Sequence, residues 1–220
     1  MRITILTLSA MAVAGSAHAA VVTQWTFESQ TTAPSTGSGS ASLVGGTSAT
    51  FATGFAGSGT FAWNTTNYAA QGTGDRTRGA QFLASTAGYE NITLTWNERH
   101  SNTSANTVAV QVTTDGTNWT EVQVFTFTPA ATGTGDTWYQ RSVSLSAAVA
   151  DSAGFGFRVL AAFDPTAGQY LASRSTSSYG TASTIRFDDV TISGDAIVVP
   201  APGAVALLGV AGLVGSRRRH

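Results

Sequence analysis

Short runs that alternate apolar and polar side chains recur along this chain, and they leave it few folds to choose from. Ile92-Thr93-Leu94-Thr95-Trp96 and Val108-Ala109-Val110-Gln111-Val112 keep period two. So do Val122-Gln123-Val124, Val143-Ser144-Leu145, Phe155-Gly156-Phe157-Arg158-Val159, Ile185-Arg186-Phe187 and Val190-Thr191-Ile192. Period two in β-branched and aromatic residues marks half-buried strands. Turn signals separate the runs: Thr114-Asp115-Gly116-Thr117-Asn118, Thr132-Gly133-Thr134-Gly135-Asp136 and Asp164-Pro165. Asp-Gly between two alternating runs is a strong hairpin signal, so residues 108–113 and 119–127 are expected to pair antiparallel. Residues 31–59, rich in Ser, Thr and Gly, read as a long loop or weak edge strands. A further strand is expected within 136–146, and a polar loop over 173–183. No stretch between the two ends repeats at the helical period. Many short strands, Gly-rich turns and no interleaved helices predict an all-β domain: a single antiparallel β-sandwich of jelly-roll type.

The two ends differ from this body. Met1-Arg2 leads an apolar run that closes on Ala17-His18-Ala19, the layout of a secretion signal with its A-x-A cleavage site. Residues 1–19 are therefore expected to be the signal, 20–196 the β-sandwich and 197–220 a separate tail. The tail is apolar around Pro200, Ala201 and Pro202 and ends on Arg217, Arg218 and Arg219. Its proline-free part, 204–215, reads as a short apolar helix. A lasting membrane span needs about 20 apolar residues, so the tail is suited to transient membrane insertion. The arginine cluster stays on the cytoplasmic side.

Pro200-Ala201-Pro202, the apolar run and the terminal arginines together resemble the PEP-CTERM sorting signal of exported bacterial proteins. The central Glu of that element is Ala201 here. The signal at 1–19, with Arg2 its one charge, implies the general secretion machinery as a partner, and the resemblance implies an exosortase-type membrane protease. It also implies a final place in the cell envelope, at the cell surface or in the extracellular matrix.

Charge removes several function classes. All eleven basic residues are arginine, and Arg2, Arg217, Arg218 and Arg219 lie in the end segments, which leaves seven against twelve acids. A nucleic-acid partner needs a basic patch, and the body has none to offer. There is no cysteine. The body's one histidine, His100, follows the strand at 92–96 and reads as a solvated loop residue. No nucleophile-elbow motif is present, and a zinc site lacks its ligands. A glycosidase needs two placed carboxylates, which no spacing here singles out. The chain is therefore read as a non-enzyme.

Two sets of residues stand out as candidate sites. Trp25-Thr26-Phe27-Glu28 opens the body and Phe187-Asp188-Asp189-Val190 closes it. The alternation slips phase across Asp188 and Asp189, which predicts a β-bulge there. This layout is similar to carbohydrate-binding jelly rolls, and the resemblance implies a structural calcium held by Glu28, Asp188 and Asp189, calcium being an ion of oxygen ligands. The second set is Asn97, Arg99 and Arg158, each out of phase with the apolar residues of its strand. On a shared sheet they would form a polar face for an acidic or hydroxylated ligand. The irregular Trp63, Tyr68, Tyr89, Trp138, Tyr170 and Tyr179 read as core or rim packing before ligand contact.

Residues 79–193 resemble the body domains of uncharacterised PEP-CTERM surface proteins, through Tyr89-Glu90-Asn91-Ile92-Thr93-Leu94-Thr95-Trp96, Phe157-Arg158-Val159 and Ile185-Arg186-Phe187-Asp188-Asp189-Val190. The expected function is that of an exported surface or matrix protein whose non-catalytic sandwich binds polysaccharide, an exopolysaccharide being the natural partner. The alternatives are a purely structural, self-associating matrix protein and, behind it, an extracellular glycan hydrolase.

Overall fold

The structure, a computed structural model, describes residues 19–131 and 137–198. In chain order the strands are β1 (Ala20–Trp25), β2 (Ser40–Val44), β3 (Ser48–Thr53), β4 (Phe61–Thr66), β5 (Gly79–Leu83), β6 (Tyr89–His100), β7 (Thr107–Thr113), β8 (Thr120–Thr126), β9 (Trp138–Ser144), β10 (Gly156–Ala161) and β11 (Ile185–Ala196). One 3-10 turn, Ala147–Val149, follows β9. The strands form two antiparallel sheets. The first has the order β3-β4-β11-β6-β9, with β1 also on β11; the second has the order β2-β5-β10-β7-β8. The predicted all-β sandwich is what the chain forms. Among the described residues no helix is long and apolar enough to cross a membrane. Both proposed end segments, with the apolar helix, the Pro-Ala-Pro element and the three terminal arginines, lie outside the described residues apart from their innermost positions.

The alternating residues meet between the sheets. Phe82 is wholly buried and sits at the centre of an aromatic cluster. Its ring centroid lies 5.0 Å from Phe157, 5.3 Å from Trp25, 6.0 Å from Trp63 and 6.2 Å from Phe187. Burial of one such ring contributes about 1.5–3 kcal/mol. Tyr68 and Tyr170 are core residues as well.

The Asp115-Gly116 hairpin forms where the sequence places it, with β7 and β8 antiparallel. Gly116 takes the positive φ of 76° that the turn requires. Asp115 closes the turn by accepting from the backbone N–H groups of Thr117 and Asn118 at 2.8 and 2.7 Å. The hydrogen bonds from Asn118, then those from Thr117 and Thr113, hold its carboxyl well below the usual range. Residues 31–59 contain two edge strands, β2 and β3, one in each sheet.

The bulge at Asp188-Asp189 is present. Against β6 the register jumps between Asp188 and Thr191, and Asp189 sits at φ 48°. The extra residue lets Phe187 and Val190 both point into the core. It also divides β11 in two, with β4 pairing residues 185–187 and β1 pairing residues 190–194 on the same edge.

His100 corrects the sequence reading. It ends β6 rather than following it, and it is completely buried. The inward phase of Ile92, Leu94 and Trp96 simply continues through Glu98 and His100. Polar identity at those two positions hides the continuation of the strand.

Candidate functional site

The outward residues of the first sheet build a cleft of ≈ 590 Å³. Antiparallel register places Gln24, Thr191, Thr95 and Ser142 opposite one another, across β1, β11, β6 and β9. Asn97 and Gln140 form the next row. Neighbouring strands lie about 4.8 Å apart, so the first row is about 14 Å long. Its members carry amides and hydroxyls, which both donate and accept. Asp189 is the one carboxylate of the lining, and its Oδ2 accepts from Asn97 Nδ2 at 3.0 Å.

The loop between β3 and β4, residues 54–60, walls this cleft with Gly57 and Ser58. Two carboxylates fasten it. Glu28 accepts from the backbone N–H groups of Thr60 and Phe61 at 2.8–3.0 Å. Asp188 Oδ2 accepts from the Phe55 N–H at 2.7 Å and the Ser58 hydroxyl at 2.9 Å. Burial, opposed by those hydrogen bonds, still leaves the Asp188 carboxyl above its usual range. Gly59 allows the close approach: at φ 152° its missing Cβ would lie 2.1 Å from Glu28 Oε1. From the same loop Phe55 reaches the sheet face and meets Trp138 edge-on at 5.7 Å.

Glu28 and Asp188 therefore grip two different ends of one loop, and Asp189 turns to Asn97. Among the described residues no three acidic or histidine side chains gather as a metal cluster. The oxygens of Glu28 and Asp188 face N–H and O–H donors, whose hydrogens a cation would have to displace. As arranged, the three carboxylates do not fit a calcium cage.

Beneath the cleft, between the sheets, lies a buried charged network. Glu98 Oε1 is 2.7 Å from His100 Nε2 and 3.1 Å from Arg141 Nη2, and Glu98 Oε2 accepts from Trp96 Nε1 at 3.1 Å. Burial alone would raise the Glu98 carboxyl, but His100 and then Arg141 outweigh it and hold it down at about 2. His100 Nδ1 is 2.8 Å from the Ala105 carbonyl. A carbonyl only accepts, so Nδ1 carries a proton. Arg141 completes the network by lying over the rings of Phe125 and Tyr139, at 4.6 and 4.8 Å.

Ser104 Oγ, 3.3 Å from His100 Nδ1, makes a Ser-His-Glu sequence of contacts. It cannot work as a hydrolytic relay in this state. All three residues are fully buried, Nδ1 already gives its proton to Ala105, and Ser104 gives its own to the Ser101 carbonyl.

The candidate ligand residues separate. Asn97 and Arg99 share the outer face of the first sheet, and Arg99 stands opposite Arg186 and Trp138. Arg158 is on β10, in the other sheet, where its guanidinium lies over Trp119. The condition that these strands share a sheet is met by Asn97, Arg99 and Arg186 and not by Arg158. Gln24, Thr95, Gln140, Ser142 and Thr191 were not singled out from the sequence. Their out-of-phase positions mark them as outward, but nothing local says that β1, β11, β6 and β9 are neighbours.

No protein-family model matches the chain, and no curated protein does. Solved structures do. The CBM22-1 xylan-binding domain of Xyn10C from Paenibacillus barcinonensis is similar with a TM-score of 0.50 at 12% identity, over 84% of this chain and 100% of that one. The tandem CBM22-1–CBM22-2 domain of the same protein gives 0.51 at 11% identity, over 79% of this chain and 50% of that one. At such identity the likeness is one of fold, a two-sheet antiparallel jelly roll.

Proposed function

We propose that the protein is a non-catalytic module that binds an uncharged polysaccharide along the outer face of the first sheet. The observation that carries this reading is the uncharged row Gln24, Thr191, Thr95 and Ser142, flanked by Asn97 and Gln140 under the loop 54–60. A row of amides and hydroxyls exchanges hydrogen bonds with sugar hydroxyls and offers no counter-charge to an acidic group. The cleft is long and open, which suits a chain rather than a single sugar. The CBM22-1 domain named above is a xylan-binding domain, and that property supports the polysaccharide reading by analogy only. The buried, fully engaged Ser104, His100 and Glu98 support a binding role over hydrolysis.

The same proposal includes export through the signal at 1–19 and sorting through Pro200, Ala201, Pro202 and the terminal arginines, with an exosortase-type protease as the processing partner. The sequence pattern of the two ends supports it.

The test is affinity electrophoresis of the full chain in gels cast with xylan, mixed-linkage glucan or galactan. One neutral polymer is expected to retard the protein, and Thr95→Trp, which fills the cleft, is expected to release it. Retardation unchanged by Thr95→Trp, or by no neutral polymer at all, would overturn the reading. The masses of the mature protein in its host test the sorting, with termini expected at residue 20 and near the Pro-Ala-Pro element.

A further inference from the structure

The outer face of the second sheet carries a second cross-strand row. Ser42, Gln81, Arg158, Gln111 and Glu121 stand opposite one another across β2, β5, β10, β7 and β8. At about 4.8 Å per strand the row is about 19 Å long. Arg158 is at its middle. The Nε of Arg158 donates to Gln111 Oε1 at 2.7 Å, and its Cζ lies 4.3 Å from the centroid of the Trp119 ring. An amide on one side and an indole on the other thus fix the plane of the guanidinium.

No carboxylate of the described residues answers this charge. The row's one acid, Glu121, is two strands away and is taken by Arg76 Nε at 2.7 Å. The two Nη nitrogens of Arg158 have no hydrogen-bond partner among those residues. Partial burial lowers the pKa of the group, as it does for a cation without a counter-charge.

We propose that this face is a second binding site and that it takes an acidic polysaccharide, with a sugar carboxylate seated on the two Nη nitrogens of Arg158. A guanidinium is a planar fork that matches a carboxylate through two parallel hydrogen bonds. Arg158 is already held in plane, so little side-chain freedom is lost on binding. Gln81 and Gln111 stand on either side to meet the hydroxyls that flank the carboxylate. The length of the row suits an oligomer. This site lies on the sheet opposite the cleft of the first sheet and stands or falls separately from it.

Calorimetry on the purified full chain at low salt tests the site. The ligands are polygalacturonate, the same polymer with its carboxyls reduced to alcohols, and polyglutamate. Polygalacturonate is expected to bind, the reduced polymer and polyglutamate to bind at least about tenfold more weakly, and added salt to weaken the first. Arg158→Gln is expected to cost about tenfold or more in affinity, and Arg158→Lys an intermediate loss, because an ammonium cannot make the paired contact. Thr95→Trp, on the other sheet, should leave this binding unchanged. Melting curves establish that the variants fold. Should Arg158→Gln fail to fold, Gln81→Ala carries the test, with a loss of a few-fold expected. Wild-type affinity in the folded Arg158→Gln protein overturns the proposal. So does equal affinity for the reduced polymer or for polyglutamate, absence of polygalacturonate binding, or unchanged affinity in Gln81→Ala where that variant decides.

Discussion

Glu98 Oε1 and His100 Nε2 meet at 2.7 Å inside the sandwich, two residues apart on one strand and on the same inward face. A strand interior seldom holds such a pair, because charges removed from water cost several kcal/mol each. Here the pair is closed on all sides by Arg141, Trp96 and the Ala105 carbonyl. It follows that removing one partner should cost far more than the pair itself is worth. Glu98→Gln is expected to lose about 3–5 kcal/mol at neutral pH, since it leaves the Arg141 guanidinium without its counter-charge and His100 Nε2 without its carboxylate partner. Urea unfolding at pH 7 measures it, and a loss under about 1 kcal/mol would speak against this account.

The same carboxylate sets an acid limit. Its folded pKa, about 2, lies below the ordinary value of 4.5. A depressed carboxylate stabilises the fold above its unfolded pKa and loses that contribution as pH falls through the folded one. The window is therefore about pH 4.5 down to 2, and the contribution is on the order of 3 kcal/mol. Unfolding free energies of the wild type and Glu98→Gln should converge through that window. A gap that stays constant from pH 6 to pH 2 would refute the assignment.

Glu28 and Asp188 act on named backbone amides, so hydrogen exchange can resolve them separately. Glu28→Ala is expected to speed exchange at Thr60 and Phe61 by about tenfold, and Asp188→Asn to do so at Phe55. Each variant should leave the other's amides slow. Uniform acceleration across 54–60 in both would mean that the loop opens as one unit.

Because those carboxylates already hold hydrogen-bond donors, calcium should add little. Saturation at 100 times a dissociation constant would stabilise by about 2.7 kcal/mol, which raises the melting temperature of a domain of this size by several degrees. Melting curves in calcium and in chelator are expected to agree to within about one degree. A rise of several degrees with calcium would restore the cation reading of Glu28, Asp188 and Asp189.

Phe82 and Leu43 give the packing contrast. Phe82 is wholly buried and touches rings from β1, β4, β10 and β11, whereas Leu43 on the edge strand β2 is 37% exposed. Phe82→Ala should cost about 3–5 kcal/mol, and Leu43→Ala less than about 1 kcal/mol. Denaturant titrations of both variants compare them directly.

Local chemistry was readable in the chain and spatial neighbourhood was not. Asp115-Gly116 announced its hairpin because turn conformation is decided by those residues alone. The bulge at Asp188-Asp189 showed as a slip of phase, since Phe187 and Val190 cannot both face inward on an unbroken strand. His100 escaped because the signal for burial is apolar identity, and here a polar ring is buried by virtue of its partners. Glu98 is one of them, and it is itself held by Arg141 on β9. The cleft escaped for a related reason. Thr95 reads as outward from its own strand, but its row forms only because β11 lies beside β6 and β1 beside β11. The same ignorance of strand order put Arg99 and Arg158 on one imagined face.

The position of β11 also governs when the molecule can become itself. Within the first sheet β3 pairs only with β4, and β9 only with β6, while β1, β4 and β6 all pair with β11. Until residues 185–196 have been made, that sheet is a hairpin, a lone strand and a two-stranded ribbon with nothing joining them. Ribosomal synthesis delivers these pieces in order, yet the strand that unites them arrives after all the others. The second sheet, complete by Ala161, therefore has no continuous face to pack on until then, and the closing of the sandwich waits on a single late event.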